Sequence, residues 1–544
     1  MARHPRSVLD THEVINQPPP RGDVDLWRDD APLREAVARG GADRHAADLA
    51  AFGADIGRAE SREQGRLANR YPPELRAFDR GGRRIDEVAY HPAYHDLLGR
   101  GIAAGYAARA WSADMPGGHV AHAAMVYLMS QVEPGVCCPM TMTYAAVPAL
   151  RADPGLEAEW RPRLLSRAYD PTSRPATEKS GATMGMAMTE KQGGSDVRAN
   201  TTRAEPDGDG YRLTGHKWFC SAPMSDAFLT LAQAPDGLTC FVAPRWRPDG
   251  ARNAIHLMRL KDKLGNRSNA SAEIEFHGVW AQRLGDEGAG VKTIVEMVHH
   301  TRLDTAMAPA GLMRAALAEA VWWCRNRMAF HRRLIDQPLM MAVLADLSLD
   351  WQGALALGLR VARAFDASAT DEAEGSFARL AVALAKYSAN KRCPALVYEA
   401  MECLGGAGYV EDSPLPLLYR EAPLNSIWEG SGNVICLDAL RTLARDPIAL
   451  EALVAELNFA RGGNRAYDAA LDHTLQRWSG GVDEREARWF VEDLAVLLQA
   501  SLLLRAGAEP VADAFVATRL SGDRGQTAGA LDKGFDPAPL LDRI

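Results

Sequence analysis

The amino-acid sequence predicts a mainly α-helical chain with one small antiparallel β-barrel set into it. The order is helices, barrel, long-helix bundle and a C-terminal helical extension. Three observations predict this. Apolar residues recur at three- and four-residue spacing before about residue 181 and again after residue 291. Strand-and-turn texture is confined to the stretch between. The helical stretches after it are longer than those before it.

The first third reads as helix. Residues 31–57 carry Ala and Leu at helical spacing with charges opposite, and 119–133 and 141–156 repeat the pattern. Residues 18–21 form a short Pro-rich extended piece, and Asp153-Pro154-Gly155 signals a loop. From about Gly181 the texture changes. Residues 201–205, the turn Pro206-Asp-Gly-Asp-Gly210 and residues 211–214 read as a hairpin. A second fits 228–234 and 238–243 around Pro235-Asp-Gly, and a third fits 255–260 with 272–276. Helix returns at 294–313, 314–331, 338–364 and 378–403, rich in Ala, Leu and Met, as an antiparallel bundle requires. The block beyond Arg445 is also helix-like. The expected domains are 1–182, 183–285, 286–446 and 447–544.

Bulk composition narrows the function. The chain has 544 residues, 47% hydrophobic and 24% charged, enough for three or four units with cores of their own. A formal net charge of −8 argues against a surface built throughout for nucleic acid or anionic lipid, while leaving room for a local basic patch. The eight cysteines form no C-x-x-C pair, so no zinc ribbon or other metal site is expected, and their scatter suits a reducing, cytoplasmic setting. The N-terminus lacks the apolar core of a signal peptide and no membrane span is expected; 491–504 is apolar-rich but amphipathic. Gly405-Gly-Ala-Gly408 has neither the spacing nor the preceding strand of a dinucleotide or Walker loop.

Three segments carry chemistry. Met186-Ala-Met188-Thr189-Glu-Lys-Gln-Gly-Gly-Ser195-Asp196 leaves a strand and enters a Gly-containing turn that can aim N–H and hydroxyl donors at a carbonyl-rich ring edge; the same residues fit a capped hairpin loop. Gly215-His-Lys-Trp218-Phe219-Cys-Ser221 offers a flat aromatic face for a planar cofactor, or a core tryptophan. Leu404-Gly-Gly-Ala-Gly-Tyr409 is followed by Ile427-Trp428-Glu429-Gly430-Ser431-Gly-Asn433. There a carboxylate in an apolar wall becomes a competent base, or else Glu429 caps a helix beginning at Ser431.

Together, in this order and spacing, the segments resemble the acyl-CoA dehydrogenase family over roughly residues 85–445. The family pattern has M-x-M-T-E and G-x-K-x-W strands, an L-G-G-x-G-Y turn and an I-Y-E-G-T-like turn. The resemblance implies a helical domain, a β-barrel, a four-helix bundle and FAD between barrel and bundle. Met186, Met188, Thr189 and Ser195 would contact the flavin on one edge, and Trp218, Phe219 and Ser221 on another. Ile427, Trp428, Gly430, Ser431 and Asn433 would meet the ring and the adenosine phosphates. Glu429 would be the base that takes the acyl α-proton. Arg327 and Phe330 match the R-x-x-F-G motif that reaches a neighbouring subunit's FAD, with His331 in place of glycine. Gln337 follows at a plausible position, and Cys220 stands where threonine is common.

Within the family, Thr11-His-Glu-Val-Ile-Asn-Gln17, Leu260-Lys-Asp-Lys-Leu-Gly-Asn-Arg-Ser-Asn-Ala270 and Asn425-Ser-Ile-Trp-Glu-Gly-Ser-Gly-Asn433 resemble the AidB-type DNA alkylation response branch. That branch implies a homotetrameric flavoprotein that binds double-stranded DNA and has weak, isovaleryl-CoA-like dehydrogenase activity. Arg441, Arg445 and Arg524 would be its DNA contacts. Against this, residues 451–544 hold ten Lys and Arg to fifteen Asp and Glu. The alternatives are a metabolic dehydrogenase of short or branched acyl-CoA thioesters and a non-catalytic scaffold of the same fold.

Overall fold

The computed structural model describes residues 5–112 and 115–544. The N-terminal part is built from α1 (Ala31–Arg39), α2 (Ala46–Ile56), α3 (Ala59–Arg70), α4 (Pro92–Ala104), α5 (Gly118–Ser130), α6 (Pro134–Leu150) and α7 (Pro154–Leu164). Local chemistry sets their starts. The Asp30 carboxylate accepts from the Leu33 N–H, and Asp153 accepts from Gly155 and Leu156, each with proline in the first turn. Asp153-Pro-Gly therefore opens a helix. Every residue of α5 and α6 is buried, so neither has a polar face for periodicity to reveal. A hairpin, β1 (Glu74–Phe78) and β2 (Arg84–Ala89), interrupts the helices. The sequence reading missed it because it is short and mostly solvent-facing.

The barrel comprises β3 (Met184–Ala187), β4 (Arg203–Asp207), β5 (Gly210–Ser221), β6 (Ala227–Ala234), β7 (Gly237–Pro244), β8 (Ile255–Leu260) and β9 (Ser271–Leu284). β5 runs antiparallel to β9 from Tyr211↔Ala281 to Ser221↔Ser271, and β6 to β7 from Ala227↔Pro244 to Ala234↔Gly237. β4 pairs with β5 and β7 with β9. The circuit closes through β4 and β6, which meet in parallel, and β3 lies parallel to β6. The barrel is thus mixed, not purely antiparallel. A long connection, loop 188–202 and the β4–β5 hairpin, separates β3 from β6 and lets the chain return in the same direction.

The bundle holds α8 (Gly290–Asn326), α9 (Pro338–Ala367) and α10 (Glu372–Cys403). The stretches 294–313 and 314–331 are one helix up to Asn326. The chain then makes the small hairpin β10 (Met328–Ala329) and β11 (Arg332–Arg333), with Phe330 and His331 at positive φ in its turn. After short helices α11 (Gly406–Tyr409) and α12 (Leu415–Glu421), α13 (Gly432–Arg445) completes the bundle against α10. α9 is long and apolar enough to cross a membrane by composition, and it lies packed among α5, α8, α10 and the extension.

The extension, α14 (Pro447–Asn458), α15 (Arg465–Arg477), α16 (Ala487–Arg505), α17 (Glu509–Phe515) and α18 (Ala538–Leu541), packs on α9 and α10. It is pinned by Arg360, which bridges Glu374 and Glu456, and by Arg543 on Glu35 of α1. All eight cysteines are buried and unpaired.

Candidate active site

A cavity of about 870 Å³ lies between the barrel loops, α5, α6, α8 and the turn before α13. Its barrel wall follows from β3. Met186, Met188, Thr189 and Ser195 line it, and the loop that carries them is tied down residue by residue. Asn200 donates to the Met188 carbonyl at 2.9 Å and the Trp218 N–H to the Thr189 carbonyl at 2.8 Å. The fully buried Glu190 carboxylate accepts from the Thr201 and Thr202 N–H groups and from Lys217 Nζ at 2.9 Å. Burial pushes Glu190 up. The Lys217 ammonium and these donors outweigh it and hold the carboxyl at about 2. Gly194 is required where it stands: a Cβ would come 2.5 Å from Thr189 Oγ1.

On β5, a bulge between Lys217 and Cys220 breaks the alternation. Lys217 and Cys220 point into the barrel core while both residues between them face out. Phe219 and Ser221 line the cavity. Trp218 does not; Lys261 Nζ covers its ring at 3.3 Å.

The opposite wall is the turn carrying Ile427, Trp428, Glu429, Gly430 and Ser431. Glu429 adopts φ 58°, a left-handed conformation costly for a residue with a Cβ. Three neighbours hold it there. Arg302 Nε donates to the Glu429 carbonyl at 3.3 Å while its Nη1 pairs with Asp438 at 2.6 Å. Lys386 Nζ, on α10, donates to the carbonyls of Asn425 at 2.9 Å and Gly430 at 2.7 Å. Trp428 Nε1 donates to Asn425 Oδ1.

The Glu429 carboxylate accepts from the Thr301 hydroxyl at 2.7 Å and faces the cavity; Ser431, not Glu429, stands at the α13 N-cap. Glu429 is half-buried against the cavity, and desolvation there raises its pKa above the usual carboxylate range, against the opposing pull of Thr301, Lys386 and Arg302. Burial likewise pushes the Lys386 ammonium down to about 7, although Glu429 pulls it back up.

Other expected residues lie elsewhere. Asn433 is exposed on α13 outside the cavity. Arg327 opens the β10–β11 hairpin and donates to the Asn16 carbonyl at 2.5 Å, with Phe330 89% exposed at the tip. Arg441 lies at the cavity rim, 3.2 Å from Asp438, and Arg445 is exposed at the end of α13. Arg524 is held against Asp346, which also pairs with Arg519, so its charge is matched within the fold. Thr301, Arg302, Lys386 and Glu190 are the functional neighbours that sequence reasoning missed. Glu190 stood in the M-T-E segment without a role of its own, and Lys386 left a mark as a lone cation inside the apolar run 380–389.

The donor set fits FAD. Met186, Met188, Ile427 and Trp428 supply apolar walls for a flat ring, and Thr189, Ser195 and Ser221 bring hydroxyls to its edges. Ser431 makes no side-chain cap at the start of α13, and Lys391 and Arg488 crowd the adjoining Gly432, so this helix N-terminus suits a phosphate.

Comparisons with known proteins agree. Residues 16–171 match the adaptive response protein AidB N-terminal domain, 185–279 the acyl-CoA dehydrogenase middle domain and 288–444 the acyl-CoA dehydrogenase C-terminal domain. The chain is 46% identical to the AidB protein of Escherichia coli (strain K12) over 508 residues, covering 93% of this chain and 94% of that one. It is 33% identical over 459 residues to acyl-CoA dehydrogenase family member 11 of Caenorhabditis elegans, covering 81% and 74%. The crystal structure of the C. elegans protein ACDH-11 in complex with C11-CoA superimposes with a TM-score of 0.86 at 28% identity, covering 98% of this chain and 95% of that one.

Proposed function

The chain belongs to the acyl-CoA dehydrogenase family and is an FAD-dependent oxidoreductase, and from that premise we propose that it dehydrogenates a CoA thioester of a short or branched acyl group, with Glu429 as the base. One observation carries the reading: Glu429 faces, across a single cavity, the Thr189 and Ser195 loop that fits the flavin. Bound FAD supplies the two-electron acceptor.

The chain supplies the rest. Thr301 occupies Glu429 Oε2, which leaves Oε1 without that hydrogen bond and available to take the α-proton. Burial raises the carboxylate's basicity toward an acidified C–H, and the clamp of Lys386 and Arg302 keeps its position fixed while the proton moves. Apolar Ile427 and Trp428 flank the carboxylate on the cavity wall. ACDH-11, the relative seen with C11-CoA, supports a thioester as ligand.

Anaerobic mixing of the yellow holoprotein with short and branched acyl-CoAs tests this by bleaching of the flavin band. Glu429→Gln should slow bleaching by about 10²–10⁴-fold with FAD still bound. Unchanged bleaching removes Glu429 from the role.

A second reading rests on the AidB N-terminal domain match and on the E. coli relative. We infer a cytoplasmic homotetramer that binds duplex DNA without sequence preference, as part of an alkylation response. Exposed Arg441 and Arg445 would repeat by symmetry into a basic stripe. Arg524 contributes least, since Asp346 already neutralises it. Fluorescence anisotropy with a labelled duplex should show binding that weakens steeply from about 50 to about 200 mM salt, with a shallower slope for Arg441→Ala/Arg445→Ala. No binding at low salt ends this reading.

A further inference from the structure

Past Glu429 the cavity continues between α5, α6 and α8, and there its wall changes character. The α8 positions on the cavity wall run from Val291 to Ala308 and include Thr301, Arg302, Asp304 and Thr305. Asp304 meets Thr141 of α6, so a carboxylate and a hydroxyl stand about one helical turn, roughly 4.5 Å along α8, beyond the residue that holds the base.

The arrangement behind Asp304 is locked. His122 is fully buried, with Tyr144 stacked on it at 3.7 Å between ring centroids. Its Nδ1 lies 2.8 Å from the Tyr106 carbonyl, which can only accept, so Nδ1 carries a proton. Its Nε2 lies 2.7 Å from Asp304 Oδ1. One further proton therefore sits between imidazole and carboxyl, on one partner or the other. In both placements Asp304 Oδ2 remains an acceptor. It takes the Thr141 hydroxyl, with the Tyr106 hydroxyl more distant at 3.4 Å. The Tyr106 hydroxyl also lies 3.3 Å from Thr141 Oγ1, so its one proton fills a site on Oδ2 or on Thr141, and the other oxygen keeps an acceptor for a further donor.

A plain hydrocarbon chain is a poor occupant of such a wall. It would cover the remaining acceptor at Asp304 and Thr141 and return no hydrogen bond. A second carboxylate, as on a dicarboxylic acyl group, would face an acceptor with another acceptor.

We propose that the acyl group taken by this site bears a hydrogen-bond donor, a hydroxyl or an amine, three to five carbons beyond the thioester carbonyl (a rough conversion of one helical turn), received by Asp304 and Thr141. The inference rests on the reading of the cavity as an acyl-CoA site and names its substrate class.

The test uses the holoprotein and three matched pairs of thioesters: butanoyl- and 4-hydroxybutanoyl-CoA, pentanoyl- and 5-hydroxypentanoyl-CoA, and hexanoyl- and 6-hydroxyhexanoyl-CoA, with glutaryl-CoA beside them. Binding is read from perturbation of the flavin spectrum and turnover from anaerobic bleaching. At one length the hydroxyl partner should bind at least about tenfold more tightly than the alkyl one, and glutaryl-CoA should bind weakly. Asp304→Leu should invert that preference. Thr141→Val, a milder change that keeps volume, should reduce that preference. Equal binding within all three pairs, or an equal loss for both partners in Thr141→Val, overturns the proposal and leaves the dehydrogenase reading standing. Failure of every thioester to bind or bleach overturns both.

Discussion

Each wall of the cavity is anchored by a lysine that is 1% exposed, and the two lysines do opposite things. Lys217, behind the barrel wall, meets Glu190 at 2.9 Å and the Leu231 carbonyl. Its charge is cancelled by a carboxylate that belongs to the loop it steadies, and Glu190 stays ionised down to about 2. Lys386, behind the bundle wall, meets only the carbonyls of Asn425 and Gly430. Burial lowers both ammoniums, Lys386 to about 7 with no carboxylate in hydrogen-bond contact, while the nearby Glu429 is driven up. A closed ion pair makes a rigid surface for a cofactor. An open cation beside a desolvated carboxylate makes a surface whose protonation can change during a reaction.

The barrel wall should be the more sensitive to loss of its lysine. Lys217→Met leaves Glu190 buried without its counter-charge and should cost about 3–5 kcal/mol of stability. Thermal melting would show the loss, and the flavin spectrum the loosening of the Thr189–Ser195 loop. If FAD binding and melting stay unchanged, the ion pair is not what steadies that wall. The stabilising part carried by Glu190 has its folded-state value depressed. It is therefore present above the ordinary glutamate range and lost as pH falls from that range toward about 2.

Lys386→Met should behave differently. It removes two carbonyl anchors from the turn and should slow flavin bleaching by about 10–100-fold through misplacement of the base. It also removes a cation that favours the Glu429 carboxylate, so the pH midpoint of bleaching should move up. Stopped-flow profiles would read both effects. A rate loss without a change of midpoint would make Lys386 a mechanical anchor alone.

Thr301→Val is a gentler probe of the same wall. The midpoint should again rise, because a hydrogen bond to the charged form is lost, with a rate change within about tenfold. In the wild-type protein the rate should fall as pH drops through the raised value of Glu429, since a protonated base accepts nothing.

The smallest effect concerns strain. Glu429→Gly places a residue without a Cβ at φ 58° and should raise stability by about 1 kcal/mol while abolishing bleaching. The gain should be larger in alkaline than in mildly acid buffer, because the raised carboxylate is costliest when ionised. No rise in melting temperature would show that the clamp of Lys386 and Arg302 absorbs the strain.

Much of this molecule was legible in one dimension. The switch from helical spacing to Pro-Asp-Gly turns and back outlined helices, barrel and bundle, because periodicity and turn chemistry act over a few residues. The spaced segments at 186–196, 215–221 and 427–433 pointed to both faces of the cavity only through their joint resemblance to the acyl-CoA dehydrogenase motifs. Legibility failed where the cause was not local. Buried all round, α5 and α6 carried no polar stripe to mark their ends. Two aromatic neighbours, Trp218 and Phe219, looked equivalent until a bulge and Lys261 gave the cavity to one of them. Arg524, expected from the resemblance as a DNA contact, stands beside Asp346, 178 residues away in the chain.

By itself, then, the sequence determined the kinds of elements, their order, the turns that carry Thr189, Ser195 and Glu429, and the family to which such a set belongs. Tertiary structure alone decided that Thr301 reaches Glu429 across 128 residues, that Lys386 and Arg302 hold it in a left-handed turn, and that Asp304 and His122 form the polar end of the same cavity. The reason is physical. Helix, turn and strand preferences are settled by neighbours in the chain, whereas desolvation, charge pairing and backbone strain depend on which distant segments packing brings within a few ångströms.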